Sequence, residues 1–247
     1  MLAHYLEVAG VCFSFSFLFA LGGVGAAVAI VPILVFLGIP FAIARPTGLF
    51  ANFMSTGSAT FYNLKKGLVD FKLALPLILS SIACSPIGAY ASHLFPEKIV
   101  AIAFTAFLFF AGTMVYVPKK AVFKEETSIF YPVLIGAIAG FVSGFLGVGG
   151  GGLISPFLIL LGYNPKKVAV TTAFVVPFSS FTGFLAYWKM GSVDWMILLF
   201  AAIPSLIAGY IASYITHRYL KPQQVKKLLG ILFFILGIKF FLKYVKF

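Results

Sequence analysis

The residues best placed to do chemistry in this chain are two glycine clusters, Gly22-Gly23-Val24-Gly25 and Gly147-Val148-Gly149-Gly150-Gly151-Gly152, set in sequence that is otherwise strongly apolar. Glycine costs about 1 kcal/mol against alanine inside a helix, so glycines this close together favour an unwound backbone. At membrane depth such backbone is tolerated only where protein buries it or water lines it. Its N–H groups lack helical partners, and with the positive end of the helix that follows they form a site for an anion. Gly22, Gly23, Gly25, Gly149, Gly150 and Gly151 are therefore candidate substrate-binding positions. Close helix packing through small residues is the other use of such clusters. The run Gly147-x-Gly149-x-x-Gly152 also has the spacing of a dinucleotide fingerprint. No strand, no βαβ unit and no acidic residue about twenty positions on accompany it, which excludes a nucleotide loop.

Hydroxyl and amide groups follow each cluster: Thr47, Asn52, Ser55, Thr56 and Ser58 after the first, Thr171, Thr172, Ser179, Ser180 and Thr182 after the second. Spacings of three and four put several of them on one helix face, which should turn away from lipid. Thr47, Asn52, Ser55, Thr171, Thr172 and Ser179 are the candidate ligands, with Thr47 and Thr171 favoured by their matching places. Hydroxyls also bond back to their own helix, which accounts for part of the set. Pro32 and Pro156 follow the clusters at equal distance and should break or kink the next helical arm. Arg45 has no acidic neighbour in sequence; it either snorkels to the interface or attracts an anion toward the mouth of a pathway. Asp70 and Asp194 read as helix N-caps, and His93 and His217 as C-terminal caps. Glu7, beside His4, is the one carboxylate near a membrane segment outside the loops and the candidate for proton coupling.

Absent chemistry narrows the class. No Ser, His and Asp arrangement lies at membrane depth, Cys12 and Cys84 sit in apolar runs, and the 6 carboxylates fall almost entirely in loops. Neither an enzyme nor a metal site nor a cofactor is expected. A cation pump would hold buried Asp or Glu, whereas glycines and neutral dipoles suit an anion.

The elements that must position these residues are membrane helices. With 62% hydrophobic and 10% charged residues and a mean hydropathy of +1.09, there is too little polar surface for a water-soluble particle. The 18 Lys and Arg are scattered through short connections, as membrane orientation requires, so a nucleic-acid partner is not expected. Residues 1–22 lack a basic start and read as a retained membrane segment, not a removable signal. A fixed shift of 124 positions superposes Gly23-Val24-Gly25 on Gly147-Val148-Gly149, Pro32 on Pro156, Leu37-Gly38 on Leu161-Gly162, Thr47 on Thr171, Val69-Asp70 on Val193-Asp194, and His93 on His217. Such a duplication marks a transporter with its site between the halves. The expected organisation is a first repeat over 1–117, a cytoplasmic linker over 118–127 and a second repeat over 128–247.

Six stretches meet the length of about 20 apolar residues for a spanning helix: 44–62, 71–92, 99–116, 168–188, 195–215 and 225–242. Two others, 5–38 and 128–162, are too long for one crossing and are broken by the glycines. The arms that remain, 26–38 and 150–162, give roughly 20 Å of helix against a core of about 30 Å. If each long stretch is one crossing, Lys and Arg divide 10 to 8 between the two sides; if each is a hairpin, they divide 12 to 6. The positive-inside bias thus favours hairpins, with the Lys65 and Lys119 connections cytoplasmic and both termini outside. Three crossings follow each hairpin, so the second repeat must be inverted. The fold class expected is all-α: a polytopic membrane protein of two pseudo-symmetric, inverted repeats, each a glycine-broken helical hairpin plus three transmembrane helices.

On Gly147-Val148-Gly149-Gly150-Gly151-Gly152 with Pro156, Ala169-Val170-Thr171-Thr172 and Gly191-Ser192-Val193-Asp194-Trp195, and on the weaker copy Gly22-Gly23-Val24-Gly25, Pro32, Thr47 and Gly67-Leu68-Val69-Asp70, the chain resembles the TauE/SafE family of sulfite exporters and related anion permeases. Ala26 and Ala27 depart from the pattern where the second half has Gly150 and Gly151. The resemblance implies a secondary transporter in the cell membrane for small sulfur oxyanions or organosulfonates. The residues themselves reach a small anion but not sulfur. A passive anion channel, and a membrane scaffold for a partner enzyme, are the alternatives. Membrane lipid and the small anion are the partners expected, and oligomeric state is left open.

Overall fold

The computed structural model describes residues 2–21, 25–65, 69–116, 128–219 and 222–245. Gly22, Gly23 and the linker 118–127 lie outside the described residues. Among those described there are ten helices and no strand: α1 (Leu2–Leu21), α2 (Ala27–Phe36), α3 (Phe41–Lys65), α4 (Phe71–Leu94), α5 (Glu97–Tyr116), α6 (Phe130–Leu146), α7 (Gly151–Leu160), α8 (Pro165–Lys189), α9 (Trp195–Tyr219) and α10 (Pro222–Val245). Helices suit the long, continuous apolar runs of this chain, because a helix satisfies its backbone groups within one segment. Five helices have the length and apolarity to cross a membrane: Leu2–Leu21, Phe71–Leu94, Glu97–Tyr116, Lys167–Lys189 and Trp195–Ile215. The expected span 44–62 lies within α3, a helix of 25 residues that carries Arg45, Asn52 and several hydroxyls.

Both long stretches divide at their glycines, 5–38 into α1 and α2, and 128–162 into α6 and α7. The short arms α2 and α7 have 10 residues each, or about 15 Å of helix. Each ends in the same way. Gly38 (φ 91°) and Gly162 (φ 90°) take the left-handed conformation open to glycine, and the next N–H groups, of Ile39 and Tyr163, reach back to Leu34 O at 3.1 Å and Leu158 O at 3.2 Å. That pattern satisfies carbonyls a helix end leaves free.

Contacts fix the directions of the helices. On α6, Gly136 lies against Leu77 and Ser80 of α4, Gly140 against Ser81, and Gly144 against Ser85. Numbers rise together, so α4 and α6 are parallel. Ser85 Oγ donates to Ser179 O at 2.7 Å and Ser92 Oγ lies 3.0 Å from Tyr187 Oη, which makes α8 parallel to α4 as well. With α6 and α8 running the same way, the chain must turn back between them, and α7 is the returning arm. By contrast α3 and α8 are antiparallel, meeting at Arg45 with Tyr187, Leu49 with Gly183, Asn52 with Ser180 and Thr60 with Ala173. Antiparallel too are α5 and α10, from Glu97 with Tyr244 to Tyr116 with Gly230. The helix α4 packs on α6 and α8, while α9, which holds the matching place in the second half, packs on α1 and α3.

The short arm α2 sits at the centre. Residues Ala27 through Val31 are fully buried, as are Leu34 and, nearly, Val35. A helix apolar on every side belongs inside a structure. Its counterpart α7 is less enclosed, with Phe157 exposed.

Candidate functional site

The second glycine break begins where α6 ends. Gly147 (φ 77°) and Gly149 (φ 70°) are both left-handed, which side chains with a Cβ resist. The Gly147 N–H still donates to Ser143 O at 2.9 Å, and the Leu153 N–H to Gly150 O at 3.1 Å. Between them, the N–H groups of residues 148–152 donate to no backbone carbonyl among the described residues. Neither α7, whose N-cap is Gly150, nor α2, whose N-cap is Ala26, has a side-chain cap. Among the described residues, these two positive helix ends are thus left without a side-chain acceptor.

Gly25 and Gly149 close on one asparagine. Asn52 Nδ2 donates to Ser180 Oγ at 2.9 Å across the α3–α8 seam. A Cβ on Gly25 would stand 2.8 Å from Asn52 Oδ1, and one on Gly149 would meet Asn52 Nδ2 and stand 3.2 Å from Ser180 Oγ. A Cβ on Gly151 would lie 3.7 Å from the Gly25 backbone nitrogen, so Gly25 touches the second break. Only bare backbone fits here. Asn52 Oδ1, Thr171 Oγ1 and Ser143 Oγ are buried with no hydrogen-bond partner. An unpaired buried polar group costs about 1–3 kcal/mol, and a ligand or water that supplied partners would remove that cost. Chemically, free peptide N–H groups, an amide and hydroxyls can hold a small anion with no metal.

The other residues singled out by spacing divide. Thr47 donates back to Ile43 O at 2.8 Å, whereas Thr171, its match, has no partner. Thr172 Oγ1 accepts from Ser155 Oγ at 3.1 Å. Ser179 donates to Val176 O at 3.1 Å within its own helix. Ser55 is buried, with its carbonyl against Gly209 of α9, and a Cβ on Gly150 would lie 3.1 Å from Ala139 O. Pro32 and Pro156 lie inside α2 and α7. Glu7 is on the exposed face of α1, 3.9 Å from His4. Asp70 and Asp194 cap α4 and α9, each accepting two backbone N–H bonds. Asp70 also pairs with Lys167 at 2.7 Å; that bond holds its carboxyl below the usual range. Arg45 does not snorkel: it is 5% exposed, inside the protein. Ser180, Tyr187 and Ser92 stand beside the chosen residues although spacing did not select them. Each is set beside them by packing between helices, which spacing along one helix does not report, and repeat matching gives no signal for Tyr187, which aligns with Asn63.

A family model, sulfite exporter TauE/SafE, matches residues 8–240. The chain belongs to the TauE/SafE family. Among curated relatives, the probable membrane transporter protein YunE of Bacillus subtilis is 27% identical, over 87% of this chain and 89% of its own length. A probable membrane transporter protein of Methanocaldococcus jannaschii is 24% identical over 89% and 88%, and one of Haemophilus influenzae 26% over 92% and 94%. With its apolar spans, this TauE/SafE chain is a multi-pass membrane transporter.

Proposed function

We propose that this protein is a secondary transporter for small oxyanions, sulfite or related sulfur oxyanions and organosulfonates, with its site where the two glycine breaks meet Asn52 and Ser180. The convergence of Gly25 and Gly149 on Asn52 carries this reading. The family's description, sulfite exporter, supports the substrate class. Gly25, Gly149, Gly150 and Gly151 supply backbone N–H groups, while Asn52 and Ser180 complete the shell. Alternating access requires two conformations related by exchange of the halves, and an inverted repeat provides them. Inversion is supported by the antiparallel courses of α3 with α8 and of α5 with α10, because each pair holds matching places in the repeat.

Uptake into liposomes carrying the purified protein tests the proposal, using sulfite, sulfonates and carboxylates with and without a pH gradient. Saturable, counterflow-competent uptake of sulfite or a sulfonate is expected. Unitary currents would identify a channel instead. Gly149→Val should abolish uptake while the protein stays monodisperse, because a Cβ there collides with Asn52; normal uptake by that variant would remove the glycine site.

A further inference from the structure

Among the described residues, Arg45 is a buried cation without a counter-ion. Of the carboxylates among the described residues, Asp70 is held by Lys167 and Glu97 accepts from Tyr244 Oη at 3.2 Å, while none pairs with Arg45. Both of its hydrogen bonds leave from one nitrogen: Nη1 donates to Tyr187 Oη at 3.1 Å and to Phe145 O at 3.4 Å. Those acceptors are neutral. The Tyr187 phenol has spent its own proton on Gly144 O at 2.8 Å. Nε is buried with no partner at all. Among the described residues the edge formed by Nε and Nη2 therefore carries no bond, and this is the edge whose two parallel N–H groups fork an oxyanion. Two rings steady the plane, Phe41 with its centroid 4.9 Å from Cζ and Tyr187 at 5.1 Å. A charge so enclosed is retained at considerable cost unless something pairs with it.

We propose that the Nε–Nη2 edge of Arg45 is a second anion-binding site, separate from the glycine breaks, for anions with two oxygens on one atom: sulfonates, sulfite and carboxylates. Arg45 precedes Asn52 by seven positions, about 10 Å along α3. The backbone from Gly147 to Gly149 runs beside that stretch, since a Cβ on Gly147 would stand 2.7 Å from Arg45 Cβ and one on Gly149 would meet Asn52. The site exists at one end only. The place matching Arg45 in the second half is Ala169, and that matching Tyr187 in the first is Asn63. An anion held there waits at one mouth of the pathway, the mouth shared by the start of α3 and the ends of α4, α6 and α8.

Calorimetric titration of the purified full chain with methanesulfonate, and separately with chloride, tests the site. Wild type is expected to bind two methanesulfonates and Arg45→Gln one, or else with the Arg45 step weakened by roughly ten- to a hundred-fold. Gly149→Val should keep the step that Arg45→Gln loses. That one result holds even if the glycine site fails and wild type binds a single anion. Unchanged stoichiometry and affinity in Arg45→Gln would overturn the proposal, as would loss of all binding in both variants. Should Arg45→Gln not assemble, Arg45→Lys keeps the charge without the fork. It is expected to lose the preference for methanesulfonate over chloride, and an unaltered preference would likewise overturn the site.

Discussion

Asn52 shows how a residue can cost stability and still be kept. Its amide nitrogen has Ser180, but its Oδ1 is buried with nothing to accept from. Replacing it by leucine removes that orphan at similar volume, and the Ser180 hydroxyl can turn to a carbonyl of its own helix. Asn52→Leu should leave the melting temperature unchanged or raise it, while sulfite uptake into liposomes falls by at least about tenfold. A fall in both would assign Asn52 to packing alone. Thr47 and Thr171 teach a related lesson: equal places in a repeat gave unequal chemistry, one hydroxyl bonded to Ile43 O and the other left free.

Among the elements, the α4–α6 pair has the closest fit. Gly136, Gly140 and Gly144 recur every four positions and let α6 lie directly on the α4 backbone; a Cβ on Gly140 would stand 2.5 Å from Ser81 O. In lipid, helix association depends on such close packing because no hydrophobic drive separates helix from solvent. Gly140→Leu should therefore abolish recovery of monodisperse protein in size-exclusion chromatography. The matching pair, α1 with α9, uses a hydroxyl contact there instead, Ser16 Oγ donating to Ser205 Oγ at 2.9 Å. Ser16→Ala should cost only about 1 kcal/mol and leave the protein intact, as read by its melting temperature.

The junction of α4 with α8 depends on pH. The carboxyl of Asp70 is lowered from its ordinary value of 3.8, first by its bond to Lys167. A lowered native value means that the stabilisation is complete above 3.8 and lost as pH falls through the lower native value. The pair is partly exposed, so the effect is small. The difference in melting temperature between wild type and Asp70→Asn should be flat above about pH 5 and vanish in stronger acid. A gap that widens in acid would contradict this.

At the scale of the whole molecule, the helix directions assign sides. The starts of α4, α6 and α8 share one side of the membrane, since the three run parallel. Lys72 opens α4, whereas Lys189 closes α8 on the other side. With Cys12 and Cys84 replaced, a membrane-impermeant maleimide should label Lys72→Cys from the cytoplasm only and Lys189→Cys from outside only. Labelling of both from one side would contradict the hairpins.

Legible in the amino-acid order alone were the helical class, the bilayer setting, the glycine interruption of two long segments and the helices that the two aspartates cap. Composition and local backbone preference suffice for those, because each depends on neighbours within a turn or two. Spacing could not tell which hydroxyls bond their own helix, nor that Arg45 is interior. Tertiary structure decided these: Asn52 finds Ser180 and Arg45 finds Tyr187 only because α3 and α8 cross antiparallel, 128 and 142 positions apart in the chain. A polar side chain in an apolar helix must find its partner across a helix interface, and the partner's identity is written in the packing and not in the local sequence.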